Sequence, residues 1–246
     1  MRKSYRELTE EIKTDGERLK LIAELGSSDD LAYHYTLISE DWAAGGTLML
    51  ENSFDRHGEA GIVFLLERLR AFGMASKTDE SATAGTATDT AYLAAKILSQ
   101  LRHRDFYAAR AKELAALLTA RWEISDIALR RKQIIALGWI GSESEINLLI
   151  DSMQSDSDAL CRAWAAAALM QLSFHGVATD VLREKTKTAF AAAIQKEGDL
   201  NAAGIMIEAA QTLFGNKWIS AAAAEAAESE SIEKARKSAL RFLGKA

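Results

Sequence analysis

The stretch Arg130-Arg131-Lys132-Gln133-Ile134-Ile135-Ala136-Leu137-Gly138-Trp139-Ile140 is followed, after a short polar turn, by Ile146-Asn147-Leu148-Leu149-Ile150-Asp151-Ser152-Met153. Apolar residues recur three and four positions apart in both segments, the period of a helix with one buried face, so the pair reads as two helices joined by a tight turn. The same chemistry then returns. Arg162 stands 32 residues after Arg130, and at the same offset Ile134 answers Ala166, Ala136 answers Ala168, Leu137 answers Leu169 and Ile140 answers Leu172. Fainter copies begin at Arg18 and Arg236. Self-similarity at this period marks a repeat built from one supersecondary unit. A single helix pair leaves an apolar flank on both sides, so neighbouring pairs must stack and share one elongated core.

Helical spacing continues along most of the chain, and no stretch alternates in the manner of a strand bounded by hairpin turns. Helices are expected over 3–14, 16–25, 29–44, 58–73, 88–102, 105–122, 126–140, 143–154, 157–173, 177–196, 199–214, 217–228 and 230–244. Ser142-Glu143-Ser144-Glu145 has capping-box spacing and predicts a helix start just after Gly141. The segment Lys77–Thr88 lacks any large apolar residue and reads as a mobile loop. The expected organisation is an irregular helical portion over 1–75, a loop over 76–88, and regular repeats over 89–246 packed as one continuous array.

The repeat resembles the HEAT and HEAT-like family, whose motif has a basic residue early in the first helix and an Ala-x-Ala-Leu-Gly-type patch near its end. An acidic turn and a leucine-rich second helix follow. Ile135-Ala136-Leu137-Gly138-Trp139-Ile140-Gly141-Ser142 carries the match, and Ser155-Asp156-Ser157-Asp158 supplies the next turn. The resemblance covers 126–173 and extends over 177–246, and before 125 the spacing is irregular. It implies an all-α, right-handed α-α superhelix, a HEAT-like solenoid of stacked antiparallel helix pairs, with the second helices lining a concave groove that holds a protein partner. On that geometry Ile146, Leu149, Ile150 and Met153 face the core. Ser144, Asn147, Asp151 and Gln154, with Arg183, Glu184 and Lys187 from 177–196, are then the candidate partner-binding residues.

Composition bounds the rest. The 246 residues include 48% hydrophobic and 26% charged residues, ordinary for a globular chain, and no proline. The absence of proline suits helices joined by Gly, Ser and Asp connections. Thirty basic against thirty-five acidic residues give a net charge of −5, which disfavours nucleic acid or an anionic membrane as partner. The exception is the 96–132 run, with nine bases against four acids, a candidate binding stripe. Charged residues at the N-terminus and no membrane-length apolar window make a cytoplasmic protein the expectation. The single cysteine, Cys161, reads as a small core residue.

No His-Glu-x-x-His, Cys-x-x-Cys, phosphate-loop or Gly-x-Ser-x-Gly signature is present. The four histidines, His34, His57, His103 and His175, have no metal-ligand partner at helical spacing, so no catalytic residue, cofactor or metal is expected. One polar cluster, Glu40-Asp41-Trp42 with Glu51 and Asp55-Arg56-His57-Gly58-Glu59, has the residue types for acid–base work if a cleft assembles them. Trp122, Trp139, Trp164 and Trp218 are read as packing residues between helices. The leading expectation is a non-enzymatic protein-binding module: an adaptor, a scaffold, or a neutralising immunity or inhibitor protein. Two alternatives follow from the family resemblance, a nucleic-acid-binding protein related to alkylpurine DNA glycosylases and a bilin lyase-like assembly factor.

Overall fold

A computed structural model describes residues 2–74, 107–120, 122 and 127–244. The expected loop at 76–88 and the helix at 88–102 lie outside these residues. Among the described residues every regular element is helical. In order they are α1 (Tyr5–Glu11), α2 (Asp15–Gly26), α3 (Leu31–Ala43), a 3-10 helix (Leu50–His57), α4 (Gly58–Met74), α5 (Tyr107–Thr119) and α6 (Ile127–Ile140). A 3-10 turn (Glu143–Glu145) then leads into α7 (Ile146–Ser155), α8 (Ala159–Leu172), α9 (Thr179–Lys196), α10 (Leu200–Phe214), α11 (Ala221–Glu225) and α12 (Ser229–Leu243). The chain divides into two compact units, Met1–Arg110 and Ala111–Ala246.

In the first unit, Ser4 and Thr14 each form a capping box, with Glu7 and Glu17 reaching back to the cap amides. The 3-10 helix packs on α2, α3 and α4. Its Leu50 and Phe54 are both fully buried. Close approach to α2 is possible because position 26 is glycine: a Cβ there would lie 2.8 Å from both Ser53 Cβ and Arg56 Cδ. Leu37, Ile38, Ile62, Leu65 and Leu66 complete this core.

The second unit is a two-row array. Helices α6, α8 and α10 pack side by side in one row, and α7, α9 and α12 form the other. Small residues set the spacing of the first row, since a Cβ on Gly138 would sit 2.8 Å from the Cα of Ala168. Ala165, Ala166 and Ala168 are buried at the same seam. Ile146, Leu149 and Met153 face inward as their spacing predicts, with Ile150 half-buried. The expected helix over 217–228 is shorter, starting only at Ala221, because Gln211 uses its Oε1 on the Trp218 and Ile219 amides and fixes 216–220 in a non-helical path. The arrangement is an all-α helical-repeat solenoid.

Candidate functional site

The repeated arginines hold the second unit together. Arg130 makes a two-pronged ion pair with Asp156, Nε to Oδ2 at 2.8 Å and a terminal nitrogen to Oδ1 at 2.9 Å. One repeat later Arg162 makes the same fork with Glu197, at 2.7 and 2.9 Å, and adds a bond to the Asp156 carbonyl at 2.8 Å. Arg236 finishes the series by donating to the carbonyls of Ile194 and Glu197. The faint N-terminal copy, Arg18, likewise reaches a backbone carbonyl, that of Leu48 at 3.2 Å. Arg130 and Arg162 thus join their own helices to the next inter-helix turn in the planar fork geometry that guanidinium favours, while Arg18 and Arg236 reach backbone carbonyls. Arg131 adds a parallel fork to Asp158, whose carboxyl is held far below the usual carboxylate range first by that guanidinium and then by the Cys161 amide. Burial pushes the Glu197 carboxyl up, but Arg162 and the Asp199 and Gly198 amides more than offset this and leave it below the ordinary value.

These pairs leave the outward side of α7 and α9 to other residues. Ser144, Asn147, Asp151 and Glu184 are exposed there, and Asp151 and Glu184 enter no ion pair among the described residues. The two helices are neighbours, tied at one end by an ion pair of Glu143 with Lys185 at 3.6 Å. Gln154 and Lys187 are half-buried, and Gln154 makes a long 3.5 Å contact with the Ala189 carbonyl. Arg183 has a different occupation. Its Nε donates to the Leu213 carbonyl at 2.7 Å and covers the last turn of α10. The fold therefore brings Ser144, Asn147, Asp151 and Glu184 to one surface, while Arg183 serves the packing of α9 on α10.

The other candidates resolve into structure. In the 96–132 run, Arg110 pairs with Glu59, Arg130 with Asp156 and Arg131 with Asp158, so these bases are neutralised within the protein. The members at 96–104 lie outside the described residues. The polar cluster of the first unit is dispersed: Glu40 and Glu59 are exposed, while Asp41 is buried and accepts from the Tyr5 hydroxyl at 2.9 Å and the Leu48 amide at 3.0 Å. Asp41 shapes a loop. His57, however, meets His34 at 2.8 Å, a contact that no sequence spacing announces because 23 residues separate them. His175 contacts Gln171 at 2.8 Å, and His103 is outside the described residues. Among the described residues no group of three or more His, Cys, Asp or Glu is placed to hold a metal ion.

Cys161 is buried, and burial first, then Asp158, pushes its thiol up to about 11, far from a reactive thiolate. Trp139, Trp164 and Trp218 are half-buried, and Trp218 packs on Phe242 with ring centres 5.7 Å apart. Among the described residues no helix is long and apolar enough to cross a membrane.

Residues 81–170 match the family model described as HEAT repeats. No curated protein and no solved structure matches the chain. The matched segment contains the Arg130 and Arg162 helices, the close seam at Gly138 and the acidic turn at Asp156, so sequence family and observed packing agree. On both grounds residues 81–170 are a HEAT-like repeat segment.

Proposed function

We propose that this protein is a protein-binding module that engages its partner through the outward surface of α7 and α9. Ser144, Asn147, Asp151 and Glu184 make the first contacts, Gln154 and Lys187 border them, and Arg183 shapes the helix from behind. HEAT repeats generally mediate protein–protein interaction or scaffolding, and the family is generally non-catalytic. The observation that carries the reading is the contrast between the two sets of charges. The repeated arginines Arg130 and Arg162 are consumed in forked pairs, whereas Asp151 and Glu184 face solvent from adjacent helices with no counter-charge among the described residues. Charges arranged in this way steer and orient a complementary partner. The acidic pair makes a basic protein surface the natural counterpart, which suits a scaffold or a neutralising inhibitor.

Capture from a native lysate at physiological salt tests this. The tagged wild-type chain is expected to retain one abundant protein. The double reversal Asp151→Lys with Glu184→Lys is expected to weaken retention about tenfold, near 1.4 kcal/mol, with an unchanged far-UV helix signal. Equal retention by the reversed variant, or no protein retained by the wild type, contradicts the assignment.

A further inference from the structure

The first unit contains a buried pair of titratable rings that the protein-binding reading does not use. His34, on α3, is fully buried. Its Nε2 lies 3.1 Å from the Leu50 carbonyl and its Nδ1 lies 2.8 Å from His57 Nε2. A carbonyl only accepts, so His34 carries its proton on Nε2, its Nδ1 is a lone pair, and His57 donates through Nε2. The Phe54 ring covers both, with centres 5.3 Å from His34 and 5.1 Å from His57.

What this pair fastens is a strap. Between α3 and α4 the chain passes through Gly45 and Gly46, both at positive φ, and ends at Gly58, φ 57°. Glycine reaches these conformations without the penalty borne by other residues, so both ends can pivot. Between them Met49 also has positive φ, 55°, and is 50% exposed, a strained backbone held in place by its surroundings. Restraints come from α3, where Asp41 accepts from the Leu48 amide at 3.0 Å and, weakly, from the Leu50 amide at 3.5 Å and His34 holds the Leu50 carbonyl, and from α2, where Arg18 donates to the Leu48 carbonyl at 3.2 Å.

We propose that the His34–His57 pair is an acid-sensitive latch for the 46–57 strap. A proton on His34 turns Nδ1 into a donor facing another donor, breaks the inter-ring bond, and releases the strap from α3 with Leu48, Leu50 and Phe54 uncovered.

The surrounding charges make the latch respond to the second proton rather than the first. The strap itself carries Glu51, Asp55 and Arg56, and Arg56 is packed against Gly26 of α2. Asp29, in the connection from α2 to α3, also acts on His57. Asp30 at the start of α3 is paired with Arg2, Asp41 is bonded to strap amides, and Glu59 at the start of α4 is paired with Arg110. Burial lowers the pKa of His57, with Asp29 and Asp55 drawing it partly back. Its proton enters at Nδ1, which leaves the Nε2 donor intact. For His34, burial comes first, the Leu50 bond resists it, and His57 lowers it further, to about 4.

The sign follows from linkage. A histidine whose folded pKa is depressed binds its proton more readily when the strap is open, so opening is disfavoured above the ordinary value of 6.5 and grows as pH falls toward 4. Between pH 7.5 and pH 5 the opening constant is expected to rise about 30-fold from His34 alone.

Amide hydrogen exchange of the full chain, read by mass spectrometry and corrected for the chemical exchange rate, tests the latch. Protection of peptides within 46–57 is expected to fall about 30-fold from pH 7.5 to pH 5. Peptides from α8 and α10 should stay constant. In His34→Gln, whose amide can still donate to the Leu50 carbonyl but does not titrate, most of this fall in strap protection should disappear, leaving only the smaller contribution of His57. Unchanged strap protection in the wild type, equal acceleration in His34→Gln, or simultaneous loss throughout α8 and α10 overturns the proposal. Should His34→Gln not fold, ring-proton titration of the wild type decides the matter. His34 must remain neutral until the strap exchanges, and ordinary titration near 6.5 with the strap still protected overturns the latch.

Discussion

Arg162→Met is expected to lower the unfolding free energy by about 3–5 kcal/mol, the typical cost of removing one partner from a buried ion pair. The Glu197 side chain is only 2% exposed. Once its guanidinium is gone, that carboxylate keeps the Asp199 amide at 2.9 Å but loses both charged contacts, and burial then governs its titration. Part of the lost stability should therefore return on acidification, as Glu197 takes up a proton. The wild type behaves in the opposite sense. Its Glu197 pKa is depressed, so the contribution is present above the ordinary carboxyl value and is lost as pH falls through the folded one. Replacing both partners by apolar residues, Arg162→Met with Glu197→Leu, should recover most of the loss, because the cost lies in the uncompensated charge. Urea denaturation at pH 7 and pH 5 checks all three. A single variant within 1 kcal/mol of the wild type would show that the fork is dispensable.

Gly138→Val should cost about 3 kcal/mol, at the upper end for overpacking a core seam. The obstruction is the Cα of Ala168 at 2.8 Å from the new Cβ, with the Ala168 Cβ at 3.0 Å, so α6 and α8 must separate. Ala168→Gly in the same chain should restore little: the backbone obstruction remains, and a helix-interior glycine adds about 1 kcal/mol of its own. Gly198→Ala serves as the control, since a Cβ there meets nothing within 4 Å, and its effect should be small. Thermal unfolding compares the four proteins. Full rescue by Ala168→Gly would place the close contact at side chains and refute the seam as described.

Both effects show why the second unit was readable in the residues. Arg130 and Arg162 recur at one interval because each must reach a turn of the array, and Gly138 and Ala168 are small because two helix backbones meet there. Periodicity reports such requirements directly. Acceptors were harder to see. Asp156 belongs to the visible acidic turn, but Glu197 is paired across 35 residues and its role emerges only when the helices stack. Arg183 illustrates the converse limit. A basic residue on the second helix reads as surface, yet its side chain covers the end of α10.

The first unit was less legible because its contacts do not repeat. Leu50 and Phe54 belong to a short 3-10 helix, and the His34–His57 contact depends on two positive-φ turns that bring 57 back to 34. The polar residues there had suggested a site through their types alone, whereas the fold spends Asp41 on a loop and Glu59 on Arg110. On α7, the spacing of Ser144, Asn147 and Asp151 places them on one side of the helix, and all three are exposed.

Site-specific photocrosslinking addresses that face most directly. A photoreactive phenylalanine analogue at Asn147 or Glu184, on the α7–α9 surface, is compared with the same group at Asn201 or Thr212, exposed on α10 in the other row. The account predicts one discrete protein adduct from Asn147 and Glu184 and none from Asn201 and Thr212. Adducts confined to the α10 positions, or equal from all four, would contradict it.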